Sequence, residues 1–110
     1  MRKEPEATIR DYYAAIDAGD VSKAMEIFHS NAIYERPGTP KLEGRAAIQR
    51  FYVEERPRGG EHRLEAVAIA TDRVLVEGLF HAPDGREVRF ADSFVFDDDR
   101  VRSRRTYAMG

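Results

Sequence analysis

Val88-Arg-Phe-Ala-Asp-Ser-Phe-Val-Phe96 is the stretch whose reading decides the fold. With the period of two that a strand imposes, it separates into two unlike faces. Val88, Phe90, Asp92, Phe94 and Phe96 share one face; Arg89, Ala91, Ser93 and Val95 share the other. An acid in an apolar row loses water, which disfavours its charged form unless a partner compensates. Asp92 therefore has two families of explanation. Either a bulge turns it outward or an arginine on the next strand pairs with it, or it is a carboxylic acid kept protonated in a cavity.

Working outward, everything after Gly60 reads as strand: Glu61 to Ala70, Val74 to His81, Arg86 to Asp97 and Val101 to Ala108. Short turns at Thr71-Asp72-Arg73, Pro83-Asp84-Gly85 and Asp98-Asp99 separate them. The simplest registers set Phe80 opposite Val88, Gly78 opposite Phe90, Val76 opposite Asp92 and Ala68 opposite Val76. Ala66, Ala68, Ala70 and Gly78 then wall the Asp92 face, leaving a volume that a ligand would fill. In the last hairpin, Asp97 opposite Arg100 places Arg105 across from Asp92. The other face carries Val67, Ile69, Leu75, Leu79, Ala91 and Val95, too apolar to stay uncovered. A second copy of the same sheet is the simplest cover, so a homodimer is expected.

Before the meander, Ile9, Tyr12, Tyr13 and Ile16 form one helical stripe that begins near Pro5 and stops at Gly19. Asp20 is a good N-cap for a second helix with the stripe Val21, Ala24, Met25 and Phe28. Asn31 to Arg36 reads as a brief strand closed by Pro37. A third helix follows Gly44, and its stripe of Ile48, Phe51 and Tyr52 ends before Pro57 and Gly59-Gly60. The order is ααβαββββ: an α+β domain in which three helices close one face of a strongly curved, mostly antiparallel sheet to make a cone.

The 110 residues, 42% of them hydrophobic, suffice for one domain spanning 1–110. Without cysteines, neither a disulfide nor a thiolate metal site enters, and the cytoplasm is the expected setting. The opening Met-Arg-Lys-Glu-Pro-Glu has no apolar leader, and no run is long enough to span a bilayer. A net charge of −2 provides no field for nucleic acid or anionic lipid. Arg100, Arg102, Arg104 and Arg105 read as a solvated strand face. His29, His62 and His81 do not gather into a site, although His62 shares the parity of the Asp92 face and is a spare base. No spacing resembles a metal or nucleotide site, so no cofactor is expected.

Several blocks together resemble the ketosteroid isomerase and SnoaL-like branch of the nuclear transport factor 2-like superfamily, whose fold is the cystatin-like cone. They are Tyr12-Tyr13-Ala14-Ala15-Ile16-Asp17-Ala18-Gly19-Asp20, Asn31-Ala32-Ile33-Tyr34-Glu35-Arg36-Pro37, Gly44-Arg45-Ala46-Ala47-Ile48, Phe51-Tyr52 and Asp92-Ser93-Phe94-Val95-Phe96. In ketosteroid isomerases a tyrosine and a protonated aspartic acid donate hydrogen bonds to a dienolate oxygen while another aspartate moves the proton. The resemblance puts Tyr12 and Asp92 in the two donor positions and Tyr52 in a supporting tyrosine network. Phe80, Phe90 and Phe94 become the aromatic lining of a pocket.

Where the family has its base, directly before a proline, this chain has Arg36, which cannot abstract a proton. Arg36 is then an exposed rim residue, a clamp for an acidic ligand, or the partner of Asp92. The resemblance implies a small-molecule pocket for an apolar, carbonyl-bearing or acidic ligand, with isomerase, cyclase or hydrolase-type chemistry. The alternative is a non-catalytic dimerisation or protein-binding scaffold of the same fold.

Overall fold

A computed structural model describes residues 4–56 and 59–109. Helix α1 spans Pro5–Asp17 and buries Ile9, Tyr12, Tyr13, Ala15 and Ile16, the expected stripe. Pro5 suits its first turn because the missing N–H has no intrahelical partner there. Helix α2, Val21–Met25, is capped by Asp20, whose carboxylate accepts from the Lys23 N–H at 3.1 Å.

This second helix is shorter than its stripe implied. Phe28 belongs instead to strand β1, Phe28–Glu35, and is completely buried beside Val101. A two-residue strand β2, Leu42–Glu43, pairs with β1. Helix α3, Arg45–Arg50, runs into a π-helical turn, Phe51–Glu55, which buries Phe51 and Tyr52. Such wide turns concentrate at functional positions. Pro57, the expected stop, lies outside the described residues.

The remaining strands are β3 (Glu61–Ala70), β4 (Arg73–His81), β5 (Glu87–Asp97) and β6 (Arg100–Met109). The sheet order is β2-β1-β6-β5-β4-β3, antiparallel throughout except for the parallel β1–β6 pair. Helix α1 lies over β3 and β4 and α3 over β1, so the helices close one face of an α+β cone.

The β4–β5 register is the expected one, with Phe80 opposite Val88, Gly78 opposite Phe90 and Val76 opposite Asp92. Two bulges change the rest, because one extra residue moves every following side chain to the other face. On β3 the extra residue is Glu65: Leu64 pairs with Gly78, but Val67, not Ala68, pairs with Val76. Ala66 and Ala68 therefore leave the Asp92 face. They line an outer hollow of about 270 Å³ with Leu75, Ala91, Ser93 and Tyr107. Val67 and Ile69 cross the other way, opposite the buried Val76 and Val74, which corrects the expected outer face.

On β6 the extra residue is Arg102: Asp97 pairs with Arg100 and Phe96 with Val101, but Val95 pairs with Ser103 and Asp92 with Thr106. Arg102 points outward and Arg104 inward, where it is only 4% exposed. Arg105, expected across from Asp92, pairs with Glu35 on the exposed side at 2.8 Å.

Candidate functional site

Arg104 organises the inside of the cone. Its Nη2 donates to Asp92 Oδ2 at 2.9 Å, and both side chains are cut off from water. Its Nη1 donates to the hydroxyls of Tyr52, at 2.7 Å, and Tyr12. The guanidinium carbon lies 4.5 Å from the Tyr34 ring centre, 4.9 Å from Phe94 and 5.0 Å from Tyr12. A cation between aromatic faces gains from their quadrupoles, and more so when desolvated.

Counting protons gives the direction of the other bonds. Thr106 donates its one hydroxyl proton to Asp92 Oδ1, so in the 2.9 Å contact between Tyr34 and Thr106 the tyrosine is the donor. The Tyr13 hydroxyl donates to Asp92 Oδ2. Asp92 thus accepts from Tyr13, Thr106 and Arg104. The buried pair with an arginine of the next strand is the reading this geometry supports, and the arginine is neither Arg36 nor Arg105.

Tyr12 and Tyr52 hydroxyls lie 2.7 Å apart. Arg104 already donates to both, and one tyrosine donates to the other. One hydroxyl proton of the pair is then left without an acceptor among the described residues.

The electrostatics agree with neutral phenols around a fixed cation. Burial, opposed by Arg104, pushes the Tyr12 hydroxyl well above the ordinary phenol range, and burial and the Asp92 charge do the same to Tyr13. Tyr34 is raised by burial as well. Burial works against the charge of Arg104, but Asp92 and the surrounding tyrosine oxygens more than offset it and hold the guanidinium protonated.

Residues 9–104 match the family model of the SnoaL-like domain. The chain belongs to the SnoaL-like domain family. Among curated proteins none matches it. Of solved structures, Bal32a from a soil-derived mobile gene cassette is 28% identical, with 94% of this chain and 88% of that one covered and a TM-score of 0.79. A protein from Sphaerobacter thermophilus is 22% identical over 94% of both chains, with a TM-score of 0.80. SalBIII, described as an epoxide hydrolase/cyclase-like enzyme in pyran ring formation in the polyether salinomycin, is 20% identical over 96% of this chain and 90% of its own, also with a TM-score of 0.80. The likeness of the last two is one of fold, the nuclear transport factor 2-like cone.

Within this SnoaL-like domain the expected site residues come together unequally. Tyr12, Tyr52, Asp92 and Phe94 meet around Arg104. Phe90 is buried against Tyr13, and Phe80 stands half-buried beside Arg56. Arg36 does not reach Asp92. It is half-buried, its guanidinium carbon 4.7 Å from the Phe51 ring centre and 5.9 Å from that of Tyr34, with its Nε enclosed and without a hydrogen-bond partner among the described residues. Glu35 turns outward, as alternation requires, and Arg105 holds it below the usual carboxylate range through a hydrogen bond and its charge.

The space beside Asp92 is filled by Tyr12, Tyr13, Phe94 and Arg104 rather than left open. One opening borders Tyr52. It is a cleft of about 400 Å³ between the α1–α2 turn and the π-helical turn, lined by Ile16, Val21, Val53, Ser22, Gln49 and Arg56 among others. Among the described residues no three His, Cys, Asp or Glu side chains gather as a metal site, and no helix is long and apolar enough to cross a membrane.

Sequence reasoning missed Arg104, because a bulge leaves no mark on the alternation of small and basic residues around it. One signal was present: in Arg104-Arg105 two basic neighbours on a strand cannot both face water.

Proposed function

We propose that this SnoaL-like domain binds an apolar small molecule through one oxygen atom, a carbonyl or its enolate, at the Tyr12–Tyr52 hydroxyl pair. The observation that carries the reading is the surplus hydroxyl proton of that pair, backed by the buried Arg104 cation. A donor already oriented in a dry, low-dielectric setting stabilises developing negative charge without reorganising. In this reading Arg104 does not touch the ligand. It sets the polarity of the two phenols, while Asp92, Tyr13 and Thr106 fix Arg104. The cleft beside Tyr52 admits the ligand along Ile16, Val21 and Val53, and Arg56 on its lining favours acidic over basic ligands. The cyclase-like description of SalBIII is consistent with oxygen-directed chemistry on this fold.

A second reading, a scaffold without a ligand, is favoured by the filled space beside Asp92. Titration of 2-naphthol, followed by its own fluorescence, separates the two. Binding that weakens about tenfold in Tyr52→Phe, the worth of one hydrogen bond to a charged oxygen, supports the oxygen site. No binding to the wild type supports the scaffold.

A further inference from the structure

Many arginines of this chain face a carboxylate, as Arg10 does Glu6, Arg89 does Glu65 and Arg105 does Glu35. Arg56 is different. Among the described residues its guanidinium has neither an ion-pair nor a hydrogen-bond partner, and two aromatic rings hold it instead. Its central carbon lies 5.2 Å from the Phe80 ring centre and 5.4 Å from that of Tyr52.

Local structure explains the placement. Arg56 ends the π-helical turn: its backbone N–H closes on the Phe51 carbonyl at 2.9 Å, while its own backbone is already extended. A cation suits the carbonyl end of a helical turn, where the dipole is negative. Tyr52 comes from the same turn, and Phe80 reaches the guanidinium from β4. Phe80 is itself held, with its ring centre 4.7 Å from that of His62. Asp17, at the end of α1, grips His62 twice: Oδ1 lies 2.6 Å from Nδ1, and Oδ2 accepts from the backbone N–H at 2.8 Å. A guanidinium stacked on rings uses its flat faces there and keeps its in-plane N–H groups for an acceptor. Unlike an ammonium, that planar fork matches both oxygens of a carboxylate.

The cleft supplies the rest. Its volume of about 400 Å³ suits a small molecule. Ile16, Val21 and Val53 form an apolar wall, and Val53 keeps 48% exposure. Among the described residues that line the cleft, Arg56 is the only cation and Asp20 the only acid. Asp20 is already engaged as the α2 cap by the Lys23 N–H. An apolar wall beside a fixed guanidinium without a counter-charge is complementary to a molecule with a hydrocarbon body and an acidic end.

We propose that Arg56, positioned by Phe80 and Tyr52, anchors a carboxylate, and that the ligand of this cleft is an amphipathic aryl or alkyl acid whose body lies along Ile16, Val21 and Val53. This rests on the reading of the cleft as the ligand's entrance, and it adds a second polar anchor to the Tyr12–Tyr52 pair.

The test compares 2-naphthoate with its neutral isostere 2-naphthamide, each followed by its own fluorescence at neutral pH, beside 2-naphthol. The wild type should bind the acid about tenfold or more tightly than the amide, the worth of hydrogen bonds between charged groups. Arg56→Gln should bring that ratio close to one. Arg56→Lys, which keeps the charge without the planar fork, should retain only part of it. Tyr52→Phe keeps the ring under Arg56 and removes the hydroxyl, so the ratio should persist while 2-naphthol binding weakens. Equal binding of acid and amide by the wild type, or a preference that survives Arg56→Gln, overturns the carboxylate anchor and leaves the oxygen site to be judged by 2-naphthol. A preference that needs Arg56 in a protein that does not bind 2-naphthol keeps the anchor and overturns the oxygen site. Binding of none of the three overturns both.

Discussion

Asp92→Leu is the perturbation that reaches deepest into this structure. The carboxylate accepts from Tyr13, Thr106 and Arg104, and the pair it forms with Arg104 is sealed, with residue exposures of 3% and 4%. Removing it leaves a guanidinium whose remaining partners are neutral phenols, and breaking one side of a buried pair costs about 3–5 kcal/mol. Two hydroxyls also lose their acceptor, at about 1–3 kcal/mol each where water cannot replace it. A small domain has roughly 5–15 kcal/mol in all, so Asp92→Leu should remove a third of its stability or more.

Arg104→Met should cost less, because the orphaned carboxylate keeps two hydroxyl donors. The double variant Asp92→Leu/Arg104→Met should be more stable than Asp92→Leu alone, since an apolar replacement of a whole buried pair is often neutral. Urea unfolding of the four proteins, followed by circular dichroism, gives the coupling directly. A cost below about 1 kcal/mol for Asp92→Leu, or two single costs that simply add in the double variant, would refute the buried pair.

Three further outcomes follow from the same geometry. His62 has its pKa lowered by burial relative to the unfolded chain, so the stability it carries is complete above the ordinary histidine range and is lost as pH falls through that range; His62→Gln should flatten this loss in unfolding curves between neutral and mildly acid pH. Gly78 tests the β3 register: a Cβ there would meet the Arg63 carbonyl oxygen at 2.3 Å, so Gly78→Ala should destabilise by at least the 1–3 kcal/mol typical of overpacking, about as measured by urea unfolding, and a neutral result would displace the Glu65 bulge. Leu75 is 41% exposed beside Tyr107, at 56%, on the outer sheet face; if that face joins two copies, the wild type should sediment as a dimer and Leu75→Glu as a monomer, and a monomeric wild type would contradict the expected homodimer.

Periodicity made much of this fold legible. The stripe Ile9, Tyr12, Tyr13 and Ile16 and the alternation through β4 and β5 carry signals that packing obeys, and both lie where the sequence places them. Phe28 shows where periodicity is ambiguous, because it fits the end of the α2 stripe as well as the start of a strand, and pairing with β6 decides. The bulges at Glu65 and Arg102 were not legible, since an inserted residue shifts the faces without altering composition. The consequences for the site are large: the small residues went to the outer face, and an arginine assigned to solvent became its centre. Resemblance singled out Tyr12, Tyr52 and Asp92, whose side chains meet around Arg104, whereas that common partner was visible only once the strands were in register.

The most direct test of the oxygen site is proton NMR of the protein with and without 2-naphthol, above the pH at which the free naphthol ionises. A phenolate oxygen held by the Tyr12–Tyr52 pair should bring at least one tyrosine hydroxyl proton far downfield, because hydrogen bonds to an ionised oxygen are short and strong. That resonance should be lost in Tyr52→Phe and persist in Phe80→Leu. A bound naphtholate that produces no downfield hydroxyl signal, or one that survives Tyr52→Phe and Tyr12→Phe alike, would contradict the account.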